Sequence, residues 1–115
     1  MALSYQIDYL EFPSQDGLKS RRFFEEAFGW AFVDYGPSYH GFEAVGIDGG
    51  IQADRAEATA APLAIVRTSD LEAAQRAVEM AGGVVTRPAF DFPGGRRFHF
   101  REPGGNELAV WIVRP

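Results

Sequence analysis

"REPGGNELAVW", residues 101–111, passes from a charged rim through Pro-Gly-Gly-Asn into an apolar run. The Pro-Gly-Gly-Asn step marks a tight turn, and "ELAVWIV" (107–113) has the β-branched and aromatic content of a strand. With "RRFHFRE" (96–102) before it, the stretch reads as two strands of a sheet joined at the turn. Working backwards, "VVTRPAF" (84–90) is another strand, separated from "RRFHFRE" by the "DFPGG" turn. "LEAAQRAVEMAGG" (71–83) is a helix ending in glycines. Ser69 and Glu72 have the S-x-x-E spacing of a capping box, which starts this helix at about Asp70. "PLAIVRT" (62–68) is the strand that feeds it. The order is βαβββ.

The first half follows the same plan. "YQIDYLEF" (5–12) is strand-like, "PSQDG" is a turn, and "LKSRRFFEEAFG" (18–29) is a helix. In that helix Leu18, Phe23, Phe24, Ala27 and Phe28 recur near helical spacing, and Gly29 stands at the C-cap. Strands follow at "WAFVDY" (30–35), "YHGFEAVGI" (39–47) and "GIQAD" (50–54). Asp16 and Asp70 open the two helices, and Gly29 and Gly82 close them at a spacing one residue shorter. That difference places one extra residue in the first turn, at Gly17. The alanine-rich "DRAEATAAP" (54–62) reads as a linker.

The expected fold class is therefore α+β: two tandem βαβββ modules forming a curved mixed sheet with a concave pocket. One domain spans 1–115, with module one at 1–54, a linker at 55–61 and module two at 62–115. A helix covers only one face of such a sheet, so the other must be covered by the second module, a second chain or a ligand.

Composition narrows the function. The 115 residues are 46% hydrophobic and include ten Phe, enough for a core. No apolar run approaches the ~20 residues that cross a bilayer. The start "MALSYQIDYLEF" lacks the basic and apolar regions of a signal peptide. Without cysteine there is no disulfide, thiolate zinc site or Cys nucleophile. A cytoplasmic location is expected. The net charge of −5 and two isolated basic pairs, Arg21-Arg22 and Arg96-Arg97, argue against nucleic acid and against a membrane-surface patch.

Alternation assigns faces. Leu10 and Phe12 suit the helix-packing face, which turns Tyr9 and Glu11 the other way. Asp8 breaks the pattern and is read as a strand end; Pro13 ends the strand. Ala64 and Val66 pack on the helix, with Leu63, Ile65 and Arg67 opposite. Phe98 and Phe100 pack inward, with Arg97, His99 and Arg101 opposite. Leu108, Val110 and Ile112 leave Glu107, Ala109, Trp111 and Val113 on the pocket side. The lining to expect thus mixes Tyr9, Glu11, Arg67, His99 and Trp111. Each has a plainer role available as a rim ion pair, a core aromatic or an imidazole satisfied by a carboxylate.

The doubled βαβββ plan, "FFEEAFGW" (23–30) and "EPGGNELAVW" (102–111) resemble the vicinal oxygen chelate superfamily, which includes glyoxalase I, bleomycin-resistance proteins, fosfomycin-resistance enzymes and extradiol dioxygenases. The resemblance covers the whole chain, with Glu102 where the family usually has Asp. It implies the glyoxalase/bleomycin-resistance fold and a tendency to form homodimers. It also implies where metal-using members place their His and Glu ligands: Tyr9, Leu63, Ala109 and a position around Ile51 or Gln52. Leu63 and Ala109 offer no donor, so no metal and no cofactor are expected. A shifted set of Glu11, His99 and Glu107, with His40 as the other histidine, is the remaining metal alternative.

The function to expect is binding of a small organic molecule in an aromatic pocket lined by Tyr9, Glu11, Gln52, Leu63, Arg67, His99, Ala109 and Trp111. The alternative is a metal-independent lyase or isomerase with Glu11 as general base and His99 as partner acid. A third reading makes the aromatic wealth, notably Phe32, Tyr35, Phe42 and Phe90, an interface.

Overall fold

The computed structural model describes residues 4–114. The start of the stretch read for a signal peptide and the last residue of module two lie outside the described residues. The element order is β1 (Gln6–Pro13), α1 (Gly17–Phe28), β2 (Phe32–Asp34), β3 (Tyr39–Phe42), β4 (Asp48–Gln52), β5 (Leu63–Arg67), α2 (Leu71–Met80), β6 (Val84–Phe92), β7 (Gly95–Arg101) and β8 (Glu107–Val113). The fold is α+β and the βαβββ order occurs twice.

The chain divides into two compact units. One comprises Tyr9–Leu63; the other comprises, among the described residues, 4–8 and 64–114. Within the first unit the strand order is β2-β3-β4-β1, and within the second it is β6-β7-β8-β5. In each unit the strand before the helix pairs in parallel with the last strand, and the other pairings are antiparallel. The parallel pairing requires a crossover, which the helix supplies.

Both helices begin as the aspartates dictate. The side chain of Asp16 accepts from Lys19 N–H at 3.1 Å, and that of Asp70 from Ala73 N–H at 3.0 Å. Asp70, not Ser69, is the N-cap, because a carboxylate already occupies the cap position and Ser69 precedes it. Gly29 closes α1 at φ 70, with its N–H on the Glu25 carbonyl. The second helix ends at Met80. Gly82 follows at φ 99, and the N–H groups of Gly82 and Gly83 reach the carbonyls of Glu79 and Val78. That pairing is a Schellman motif, which stops the helix before the end at Gly83 read from the sequence. Gly17 is the first residue of α1 rather than an addition to the turn; the extra residue lengthens the helix. A Cβ at Gly17 would stand 2.9 Å from Ala53 Cβ and 3.0 Å from the His40 ring, so the helix start rests directly on β3 and the end of β4.

Three strands are shorter than their sequence suggests, the run 62–68 forming β5 only over Leu63–Arg67. The run 39–47 pairs only through Phe42, because Ala44 and Gly46 adopt φ values of 58 and 112 and break the extended backbone. The run 30–35 pairs only over Phe32–Asp34.

The apolar faces meet as alternation requires. In the first unit Phe24 stacks on Phe12 and Trp30, with centroids 6.0 and 5.0 Å apart, and Phe12 and Trp30 both meet Phe42. Leu18, Phe23 and Phe28 share the helix but stay exposed. In the second unit Leu71, Ala74, Phe98 and Val110 form a buried core, flanked by Val66, Val78, Phe100 and Ile112. Among the described residues no helix is long and apolar enough to cross a membrane.

Candidate functional site

The turn that opens the last strand is held by its first residue. The Glu102 carboxylate accepts from Gly104 N–H at 2.7 Å, Asn106 N–H at 2.9 Å and the Asn106 amide at 2.7 Å. Gly105 takes φ 100, which glycine adopts without strain. Hydrogen bonds from the Asn106 and Gly104 backbone hold the Glu102 carboxyl below the ordinary range. Their contribution is complete above the unfolded carboxylate pKa of about 4.3 and is lost as pH falls through the depressed folded value. An NMR titration is expected to show the Gly104 and Asn106 amides moving together, with a midpoint below that ordinary value. These bonds commit Glu102 to the turn.

In the first unit, the side of β1 away from the helix carries a hydroxyl–carboxylate chain. Tyr9 and Tyr39 share a hydrogen bond of 2.6 Å between their hydroxyls, and Tyr39 donates to Glu11 at 3.0 Å. Glu11 is only 4% exposed. Burial, then the neighbouring Glu11 charge, pushes the Tyr39 phenol far above its usual range, so it stays protonated and donates. Glycine makes room for this chain: a Cβ at Gly50, the partner of Glu11 in register, would lie 2.5 Å from the Tyr39 ring. His40 is buried, with Nδ1 2.7 Å from Asp34, and Arg21 pairs with the same carboxylate. That group ties α1 to the strand edge. Gln52 uses its side-chain oxygen to accept Asp54 N–H at 3.0 Å.

The second unit presents a different surface away from its helix. Cross-strand register places Arg67, Trp111, Arg97 and Phe90 in one row, and Ile65, Ala109 and His99 in the next. Arg87 is also the register partner of His99. Trp111 donates its indole N–H to Asp8 at 2.8 Å. Arg67 lies 5.2 Å from the Trp111 ring centroid and 3.8 Å from the other Asp8 oxygen. One carboxylate thus orients both the ring and the cation that covers it. Arg97 sits 5.4 Å from Phe90 and 5.5 Å from Phe92, and Arg87 3.6 Å from Phe90. His99 is 2% exposed and places Nδ1 3.4 Å from Glu107, which also accepts from Thr86 at 3.0 Å. Burial, then the Arg97 charge, lowers the His99 pKa, so the ring is neutral near pH 7.

This unit also has a hollow of about 310 Å³ on its helix side, lined by Val66, Ala74, Ala77, Val78, Phe100 and Val110 among others. Its acid is Glu102, already spent on the turn. The hollow therefore lacks the convergent polar groups of a specific site.

Sequence reading placed Arg67, His99, Ala109 and Trp111 away from the helix of the second unit, and the register brings them onto one face. It placed Tyr9 and Glu11 likewise in the first, where they join through Tyr39. It missed Tyr39 and Asp8. Asp8 lies within β1 rather than at its end. The break in alternation at Asp8 was the available signal, because a polar side chain against the pattern needs a partner.

The chain matches the Glyoxalase/Bleomycin resistance protein/Dioxygenase superfamily over residues 6–110 and belongs to that family. Three solved structures show the shared fold. A superfamily member from Vibrio splendidus 12B01 has a TM-score of 0.69 at 13% identity, covering 96% of this chain and 99% of its own. Methylmalonyl-CoA epimerase from Mycobacterium tuberculosis has a TM-score of 0.70 at 15% identity, covering 94% and 87%. The NAD-dependent benzaldehyde dehydrogenase structure from Legionella pneumophila has a TM-score of 0.74 at 13% identity, covering 92% and 98%. No curated protein matches the chain.

The positions at which the resemblance implies metal ligands do not suit a cation. Leu63, Ala109 and Ile51 are aliphatic and 0% exposed. The Tyr9 hydroxyl is engaged by Tyr39, and the Gln52 oxygen by Asp54. Hard divalent ions need carboxylate, imidazole or comparable donors. Among the described residues no three His, Asp or Glu side chains group to hold a metal.

Proposed function

We propose that this protein binds a small planar organic molecule, with no metal at the family's ligand positions, on the helix-distal face of its second unit. The observation that carries this reading is the Trp111 assembly. A ring whose N–H is already anchored to Asp8 is fixed as a stacking surface, and Arg67 places a cation beside it. Arg67 is half exposed and available to an acidic group on a ligand. The aliphatic residues at the metal positions support binding without a cation.

Anilinonaphthalene sulfonate, a planar aromatic anion, tests the reading. It is expected to quench Trp111 fluorescence saturably, with Trp30→Phe isolating the signal. Followed by the dye's own fluorescence, Arg67→Ala is expected to weaken binding about tenfold, and Trp111→Ala by more. Unchanged affinity in both variants overturns the reading.

A second reading is supported by Glu11. A buried carboxylate beside a protonated phenol is an arrangement suited to proton transfer at a carbon acid, as in a lyase or isomerase. Glu11→Gln is then expected to abolish turnover and leave binding intact; a parent protein without turnover removes this reading. The homodimer belongs to the proposal as well, supported by the exposed Leu18, Phe23 and Phe28 of α1, and a light-scattering mass decides it.

A further inference from the structure

His99 carries an unused acceptor. Its Nδ1 faces the Glu107 carboxylate, which accepts and so places the ring proton on Nδ1. Nε2 is then a bare lone pair. It is buried and has no hydrogen-bond partner among the described residues. Burying such a group without a partner is unfavourable, so its retention calls for a partner that arrives from outside. Thr86 fixes the same Glu107 oxygen, so the carboxylate–imidazole pair is held from behind.

The surroundings specify what that partner is. An acceptor requires a donor, a hydroxyl or an N–H. Two guanidinium groups, Arg97 and Arg87, lie close enough to act on the His99 charge, so negative charge gathering on the donor atom is stabilised there. The Phe90 ring lies 5.8 Å from the imidazole, and Phe92 and Trp111 stand on the same side of the sheet, offering faces to a planar group. The cover over His99 is also distinctive. Phe90, with Arg87 stacked on it, comes from β6, an outer strand of its unit's sheet. Its pairing with β7 is irregular between Val85 and Arg87 and again between Arg87 and Phe90. Such irregularities in an outer strand bend it and re-aim side chains, here Arg87 and Phe90 beside His99.

The geometry points to His99 Nε2 as the acceptor for a weakly acidic, planar hydroxyl compound, a phenol or enol, seated under Phe90. The ligand's O–H donates to Nε2. As that proton moves towards the imidazole, the negative charge left on the ligand oxygen is met by the arginines and the positive charge by Glu107. No other reactant is needed for this reversible transfer. The inference rests on the proposed binding face and adds to it the ligand's class and its anchor.

Para-nitrophenol is the probe, followed by two readouts on the intact chain. Imidazole 15N spectra follow the two histidines, with His99→Gln identifying its own signals. Saturation is expected to move the His99 Nε2 resonance while Nδ1 keeps its proton. His99→Phe, which keeps a ring of similar bulk, is expected to bind the probe about tenfold more weakly. Trp111 quenching without movement of Nε2 overturns this inference and leaves the binding face standing. So does an internal water on Nε2 that the probe does not displace. Failure to bind para-nitrophenol overturns the inference too, and anilinonaphthalene sulfonate, which has no hydroxyl, then judges the face separately.

Discussion

Phe98→Ala is expected to lower the unfolding free energy by about 3–5 kcal/mol. Phe98 is 0% exposed and stands in the core with Leu71, Ala74 and Val110, and its ring meets Phe100 at 6.2 Å. Both α2 and two strands of the second unit lose packing when the ring is removed. The small neighbour Ala74 cannot fill the space, so a cavity remains. Urea denaturation should show a lower midpoint with an unchanged slope. A loss below about 1 kcal/mol would mean that α2 does not close over this face as described.

The second large effect comes from giving the protein a ligand that metal-using relatives carry. Ala109→Glu introduces a carboxylate at a fully buried site whose register partners are Ile65 and His99. Ile65 offers no hydrogen bond, and the neutral His99, its Nδ1 on Glu107, can accept from a protonated carboxyl but has no proton left to give an ionised one. The expected cost is about 3 kcal/mol or more at pH 7. Burial raises the new carboxyl's folded pKa above its unfolded value. The variant is therefore least impaired below the unfolded pKa, and it loses stability as pH rises through the folded one. Chemical denaturation at several pH values checks both size and sign. A variant as stable as the parent, or one stabilised several-fold in its folding equilibrium by manganese, would show that the site still suits a cation.

The sequence reveals local chemistry well and long-range chemistry poorly. Asp16 and Asp70 as helix starts, and Gly29 and Gly82 as left-handed stops, follow from cap geometry that extends over a few residues. The inward faces of β5, β7 and β8 follow from period-two alternation, because Val66, Phe98 and Val110 all reach the same core. The same reasoning overestimates α1. Leu18, Phe23 and Phe28 have the right spacing, but spacing alone does not supply a surface to cover them.

The polar pairs of the candidate sites lie beyond local pattern. Trp111 and Asp8 are 103 positions apart, and Tyr39 and Glu11 are 28 apart. Neither pair has a spacing rule, since each depends on which strands become neighbours. Leu63 and Ala109 are informative for the opposite reason. Neither side chain carries a metal donor whatever its exact position, and that much can be read directly from the chain.

Native mass spectrometry of the protein, incubated with manganese, nickel or zinc and compared with a chelator-treated sample, tests metal-free binding most directly. The account predicts the mass of the chain without a stoichiometric ion, and an added mass when anilinonaphthalene sulfonate is present. One divalent cation per chain, removed by the chelator and required for binding the aromatic anion, would contradict it.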